Sequence, residues 1–273
     1  MLSRLAFASS LLVLGAGLAH AQINLSSQCQ STLLTAASSS EASCLNVVGL
    51  ASILTTPANS SLVQPINSWL SGACAQTPCS NQSLSDIVAN ITNGCSSDLS
   101  SLGLSGDSTN IASIVQQAYP TVRDVLCLKQ SSNDTLCVTS QLTQLEAAEG
   151  TTLSISNIFT TWSSILGGGL SSVPSYITCG DCAKEQYNVI VTAQPAIASN
   201  TTVTGPLESQ CGSGFLDGSN SSDVVEGTGS AAPTGTGGVN AASSATSLFS
   251  VGALTGIAFS SLAAISSAFL VLA

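Results

Sequence analysis

Residues 179–188 read CGDCAKEQYN, and Cys179-Gly180-Asp181-Cys182 has the spacing of a dithiol centre. Two cysteines so placed can exchange electrons, supply half of a metal site, or end two separate cross-links. Redox work calls for a strand leading into the motif and a βαβ alternation around it. The preceding GGGLSSVPSYIT is a loop composition instead. What favours a reactive thiol is a cysteine at a helix start near Lys184, an arrangement that lowers thiol pKa. Zinc asks for four ligands, usually Cys with or without His. The only histidine, His20, lies in an N-terminal segment expected to be removed, and Cys74 and Cys79 are the one other candidate pair. The structural reading needs an oxidising compartment, where thiols close into disulfides.

That reading fits the full set: Cys29, Cys44, Cys74, Cys79, Cys95, Cys127, Cys137, Cys179, Cys182 and Cys211. Ten cysteines allow up to five disulfides, in nine times the 105 pairings of eight, or 945. Each bridge stabilises a thin core by roughly 2–4 kcal/mol. Five cysteines fall in each half, so at least one bridge crosses between halves if all pair. We expect Cys179 and Cys182 to bond different partners and staple a helix over 181–193.

Other chemistries lack their parts. Without a histidine in the mature chain there is no base for a Ser-His-Asp or Cys-His site. Lys129 and Lys184 stand in no nucleophile motif. Carboxylate pairs for glycoside hydrolysis could be drawn from Asp98, Asp107, Asp124, Glu146, Glu149, Asp181 and Glu185. Two Trp and three Tyr offer few platforms for sugar rings, and Glu146 with Glu149 reads as a solvated helix face. Arg123 and Asp124 read as an ion pair anchoring helices. Gly167-Gly168-Gly169 reads as a helix stop and hinge. No catalytic residue, cofactor or metal ligand is expected.

The elements that carry these residues read as helices. Leu84, Ile87, Val88 and Ile91 recur at i, i+3, i+4 and i+7, with Ser83 as N-cap, Asp86 three residues on and Gly94 as the stop. Ile111, Ile114, Val115 and Ala118 repeat the pattern before Pro120. Leu45, Val48 and Ala51 mark another helix, Leu142 and Leu145 one more, and Ala183, Tyr187, Ile190 and Val191 line a face after Asp181. No alternating strand stands out. The expectation is an all-α bundle of six to eight short helices cross-linked by disulfides. Trp69 and Trp162 sit in similar apolar sets (Leu62, Val63, Ile66, Leu70 against Ile158, Phe159, Ile165, Leu166), which hints at an internal duplication as much as at two generic amphipathic helices. Such a bundle can also enclose an apolar cavity suited to a sterol or lipid tail, or simply pack.

Residues 1–21 read as a secretory signal peptide: Arg4, an apolar run, then Ala19-His20-Ala21. At the other end, small residues at Asn240-Ala241-Ala242, the polar spacer Ser243–Ser250 and an apolar tail form a glycosylphosphatidylinositol (GPI) signal, with attachment at Asn240 and with Gly237, Gly238 and Ser243 as fallbacks. The expected organisation is a signal peptide at 1–21, an ectodomain at 22–217, a disordered Ser/Thr/Gly-rich stalk at 218–246, and a tail at 247–273 that is removed. Sequons begin at Asn24, Asn59, Asn81, Asn90, Asn133, Asn200 and Asn220, marking a glycosylated surface. Net charge is −10, and the mature chain keeps three cations, Arg123, Lys129 and Lys184. That charge gives nucleic-acid binding no electrostatic basis.

SCLNVVGLASIL, PINSWLSGACAQTPC, IVQQAYPTVRDVLCLK and ITCGDCAKEQYN together span most of 29–190. In these segments the chain resembles a family of fungal, basidiomycete-type cysteine-rich GPI-anchored cell-surface proteins of unknown function. The resemblance implies a filamentous, mushroom-forming fungus and a plasma-membrane or cell-wall address, and it brings no catalytic residue. The cysteine order does not match the eight-cysteine haem-binding domain of other fungal GPI proteins. The expected role is therefore non-enzymatic, structural or adhesive. The expected partners are the outer leaflet through the GPI lipid and cell-wall polysaccharide. A lipid- or sterol-binding module is the first alternative, and a carboxylate-based hydrolase the second.

Overall fold

The computed structural model describes residues 26–101, 108–158, 160–161, 165 and 172–227. Trp162, Asp107, Gly167-Gly168-Gly169, the signal segment, Asn24, Asn240 and the apolar tail lie outside them, and so does most of the stalk.

The described chain is mostly helical. In order come α1 (Ser27–Ala37), a 3-10 turn (Ser40–Leu45), α2 (Val47–Leu54), α3 (Val63–Ala75), α4 (Asn81–Gly94), α5 (Ser96–Ser101) and α6 (Ser108–Cys127). Strand β1 (Leu128–Gln130) leads to α7 (Cys137–Glu149), α8 (Ser175–Thr178), α9 (Asp181–Ala193), α10 (Pro195–Ala198) and α11 (Thr201–Cys211). A 3-10 turn (Ser213–Phe215) and β2 (Val224–Glu226) follow. Eight of these α-helices have eight residues or more, in keeping with the six to eight expected; the other three have four to six.

Local chemistry explains the boundaries. Ser26 caps α1, its hydroxyl accepting from Cys29 N, and Ser80 caps α4 by accepting from Ser83 N. The cap of α4 is thus Ser80, not Ser83. Ser80 keeps an extended backbone, ψ 157°, which a cap requires. Helix α6 runs through Pro120 to Cys127 instead of ending there. Pro120 is exposed, so the carbonyl it leaves unpaired lies near solvent. Asn46 sits in the left-handed region, φ 50°, between the 3-10 turn Ser40–Leu45 and α2. Its amide donates to Trp69 O at 2.8 Å, while Trp69 Nε1 donates to Leu45 O at 3.0 Å. Gly49 and Gly72 leave room for that amide, which any Cβ there would strike.

One core joins the two halves of the chain. Leu50, Ile53, Leu62, Ile66, Trp69 and Leu70 pack with Leu142, Leu145, Leu153, Ile177, Tyr187 and Phe215. Polar ties follow the same seam. Leu62 N donates to Leu153 O at 2.8 Å, Thr139 Oγ1 to Asn67 Oδ1 at 2.8 Å, and Ser61 Oγ to Glu146 Oε1 at 2.7 Å. Glu146, expected on a solvated face, also accepts from Leu153 N at 2.7 Å and so positions the loop after α7.

Two differences from the expected organisation concern strands. β1 and β2 form an antiparallel pair, with Lys129 opposite Val225. The folded part therefore runs on to Gly227, past the boundary drawn at 217. Composition concealed this because DVVE is four residues inside a Ser/Thr/Gly-rich stretch. Its single inward side chain, Val224, packs on Leu128, Cys137 and Cys182.

Candidate functional site

Of the residues singled out for chemistry, Cys179, Asp181, Cys182, Lys184 and Glu185 lie at the start of α9, while Asp98, Arg123 and Glu146 make ties elsewhere. All ten cysteines are paired: Cys29–Cys95, Cys44–Cys79, Cys74–Cys127, Cys137–Cys182 and Cys179–Cys211. The two sulfurs of CGDC thus go to different partners. Cys179 ties the turn before α9 to the end of α11, and Cys182 ties the first turn of α9 to the start of α7. A dithiol that cycles needs its two sulfurs to bond each other. Here each is committed elsewhere, and the motif is the point where two staples meet.

The bridges repeat across the chain at one pair only. Counting within each half, the second cysteine pairs with the fourth both times, Cys44–Cys79 and Cys137–Cys182. The others differ: Cys29 pairs with Cys95, whereas Cys179 pairs with Cys211. Cys74–Cys127 is the bridge that crosses between halves. Because it closes at Cys127, the network still falls into two covalent blocks, 29–127 and 137–211, joined by 128–136.

The charged groups are used as ties. Arg123 is 7% exposed. Its guanidinium donates to Gln76 O, to Cys74 O at 3.5 Å and to Tyr119 Oη at 3.4 Å. Tyr119 Oη in turn accepts from Cys79 N at 3.0 Å. Tyr119, Arg123 and Cys127 lie at i, i+4 and i+8 on α6, so one stripe holds the end of α3 by two hydrogen-bonding groups and a disulfide. Arg123, read as half of an ion pair with Asp124, anchors the end of α3 through two carbonyls and the Tyr119 hydroxyl instead.

The acids have structural partners too. Asp98 accepts from Ser26 N and Ser26 Oγ, at 2.8 and 2.7 Å. Those bonds hold its carboxyl below the ordinary carboxylate range. Asp181 accepts from Ser221 Oγ at 2.9 Å and Glu185 from Ser221 N at 3.0 Å. Lys184 pairs with Asp217 at 2.9 Å and donates to Gly214 O and Ser219 Oγ. Hydrogen bonds from Ser219, then Lys184, depress the Asp217 pKa strongly. Beneath them Gln141 and Gln186 exchange a buried pair of amide hydrogen bonds at 2.9 and 3.1 Å. No group of three or more His, Cys, Asp or Glu among the described residues is placed to hold a metal ion.

Five of the six described sequon asparagines, Asn59, Asn81, Asn90, Asn133 and Asn220, are exposed. Asn200 is half-buried and caps α11, accepting from Thr202 N at 3.1 Å. Sequence reasoning did not find the Gln141–Gln186 pair, the Tyr119–Arg123 clamp or the Ser219 and Ser221 contacts. Polar residues on helices carry no signal for their distant partners.

Fold and bridges define a disulfide-stapled all-α protein of an oxidising, extracellular or secretory compartment. No helix among the described residues is long and apolar enough to cross a membrane. No family model, curated protein or solved structure matches the chain.

Proposed function

We propose that the protein is a non-enzymatic, glycosylated, GPI-anchored component of the cell surface or cell wall, with a structural or adhesive role. The observation that carries this reading is the closure of all ten cysteines into five bridges. A chain so built suits a place outside the cell, where a thin core must persist without renewal. The exposed sequon asparagines agree with a sugar-coated surface. The small-residue site at Asn240 with its spacer and apolar tail supports a lipid anchor. The resemblance to fungal cysteine-rich surface proteins points to the same address. Of the carboxylates named for hydrolysis, Asp98, Glu146, Asp181 and Glu185 are engaged in the helix and loop ties described above, which favours a scaffold over a cleft.

The test is expression in a eukaryotic host with an epitope placed after Gln22. Phosphatidylinositol-specific phospholipase C releases the epitope from intact cells on this reading, and N-glycosidase lowers its mass by several glycans. Epitope that stays on the cells after the enzyme, or that appears in the medium without a glycan-inositol remnant, contradicts the anchor. A non-covalent lipid in the native mass spectrum would shift the function to lipid binding.

A further inference from the structure

Beyond Cys211 the sequence has no cysteine, so residues 212–227 are held without a disulfide. The first part, Ser213–Phe215, is secured by Phe215, whose ring packs 5.9 Å from Tyr187 in the main core. The remainder, 217–227, is held differently. Its described side chains bury a single apolar anchor, Val224. Otherwise it lies across one face of α9, on Asp181, Lys184, Glu185 and Asn188, at i, i+3, i+4 and i+7. Lys184 takes Asp217 and Ser219 Oγ, Asn188 Nδ2 donates to Ser219 O at 3.0 Å, and Glu185 and Asp181 take Ser221. Then β2 adds to β1, with Ser131 N donating to Asp223 O and Gly227 N to Cys127 O, both at 3.0 Å.

What receives this segment is fixed far more firmly. β1 stands between Cys127, bridged to Cys74, and Cys137, bridged to Cys182. Helix α9 carries Cys182 and follows Cys179. The contrast is between a body closed by five bridges and a strap fastened by exposed and part-buried polar bonds, a three-residue ladder and one valine. Segments with few buried apolar contacts and solvent-exposed hydrogen bonds open at lower free energy than the core around them. Asn188 Oδ1 is also buried without a hydrogen-bond partner among the described residues, so only one arm of the amide that holds Ser219 is satisfied.

We infer that residues 217–227 form a peelable strap, a unit that opens by itself while the bridged body stays folded. Resting on the anchored reading above, the strap is where tension from a C-terminal tether would first arrive. Peeling begins at the Gly227–Cys127 bond and ends at Phe215. Eleven freed residues reach at most about 40 Å when extended. The body would thus gain reach without breaking a covalent bond, and refastening needs only the same polar contacts.

The test is hydrogen exchange by mass spectrometry on the secreted, non-reduced chain, which scores the strap whether or not a lipid is present. Peptides covering 219–227 exchange at least about a hundredfold faster than those covering Leu142–Leu145, yet slower than an unstructured peptide. Asp217→Ala removes the ion pair and the Ser219 bonds and speeds the strap about a further tenfold, the factor for one charge-assisted bond. Val224→Ala does the same through the apolar anchor. In both variants α7 and α9 keep their rates. If the strap exchanges in step with α7, or if both variants speed α7 and α9 equally, the strap is part of the body and the inference falls. Strap exchange at the unstructured rate in the unaltered protein would overturn it as well.

Discussion

Arg123 places a charge in the interior and meets it with carbonyls at the end of α3. Those carbonyls lack helical partners of their own, so the guanidinium satisfies groups that burial would otherwise penalise. Arg123→Met should cost about 2–4 kcal/mol, read from urea unfolding with the bridges intact. Arg123→Lys should recover only part, because a single ammonium cannot span Gln76, Cys74 and Tyr119 together. Equal stability of Arg123→Met and the unaltered protein would remove the clamp from the account. The buried Gln141–Gln186 pair makes a second residue-scale case. Gln141→Leu alone strands the partner amide and should cost about 1–3 kcal/mol, while Gln141→Leu with Gln186→Leu should lie near neutral. If the double change costs the sum of the two singles, the amides are not coupled.

At the scale of elements, contact between helices is set by what each can bring close. Any Cβ at Gly94 would strike Thr32, so α1 approaches α4 where α4 ends, beside the Cys29–Cys95 bridge. Gly94→Ala raises helix propensity yet should destabilise by about 1–3 kcal/mol through overpacking. A gain in thermal midpoint would show that the two helices yield there. The fastening of 217–227 on α9 has a pH signature. The folded Asp217 pKa lies below the ordinary value near 3.9, so its contribution is complete above that value and is lost as pH falls through the folded pKa. Protection of 219–227 against exchange, corrected for intrinsic rates, should be flat from pH 7 to about 5 and decline below about 4. A decline beginning near pH 6 would point to another group.

The same elements show what sequence could reveal. α4 and α9 were legible because each packs one face at helical spacing, Leu84 with Ile87 and Val88, and Ala183 with Tyr187. α1 was not, because only Cys29, Leu33 and Ala36 turn inward among hydroxyl residues. Val48, one of the three residues that mark α2 by their spacing, is 80% exposed, since that helix packs through Leu50 and Ile53 instead. The divergence of Cys179 and Cys182 was legible from the absence of a redox context. Their partners were not, because pairing is decided by which helices meet in space. β2 was hidden because its partner strand lies near residue 129 and its own pattern is too short to stand out.

For the whole molecule, the bridges make two blocks rather than one net. Cys29, Cys44, Cys74, Cys79, Cys95 and Cys127 close 29–127, and Cys137, Cys179, Cys182 and Cys211 close 137–211. Between them lies the exposed turn Ser131–Asp134, and across the seam run only packing and hydrogen bonds. Such a plan restricts each block's unfolded chain, by about 3–5 kcal/mol per bridge in the loop-entropy account, and leaves their docking to the shared core. The most direct measurement is to insert a protease recognition sequence between Ser132 and Asn133, cut the folded, non-reduced protein, and weigh it before and after denaturation. One assembly is expected in native buffer and two separate masses in denaturant without reductant, one ending near Ser132 and one starting near Asn133. A single covalent mass in denaturant would mean that a bridge joins the blocks, and the pairing described here would be wrong.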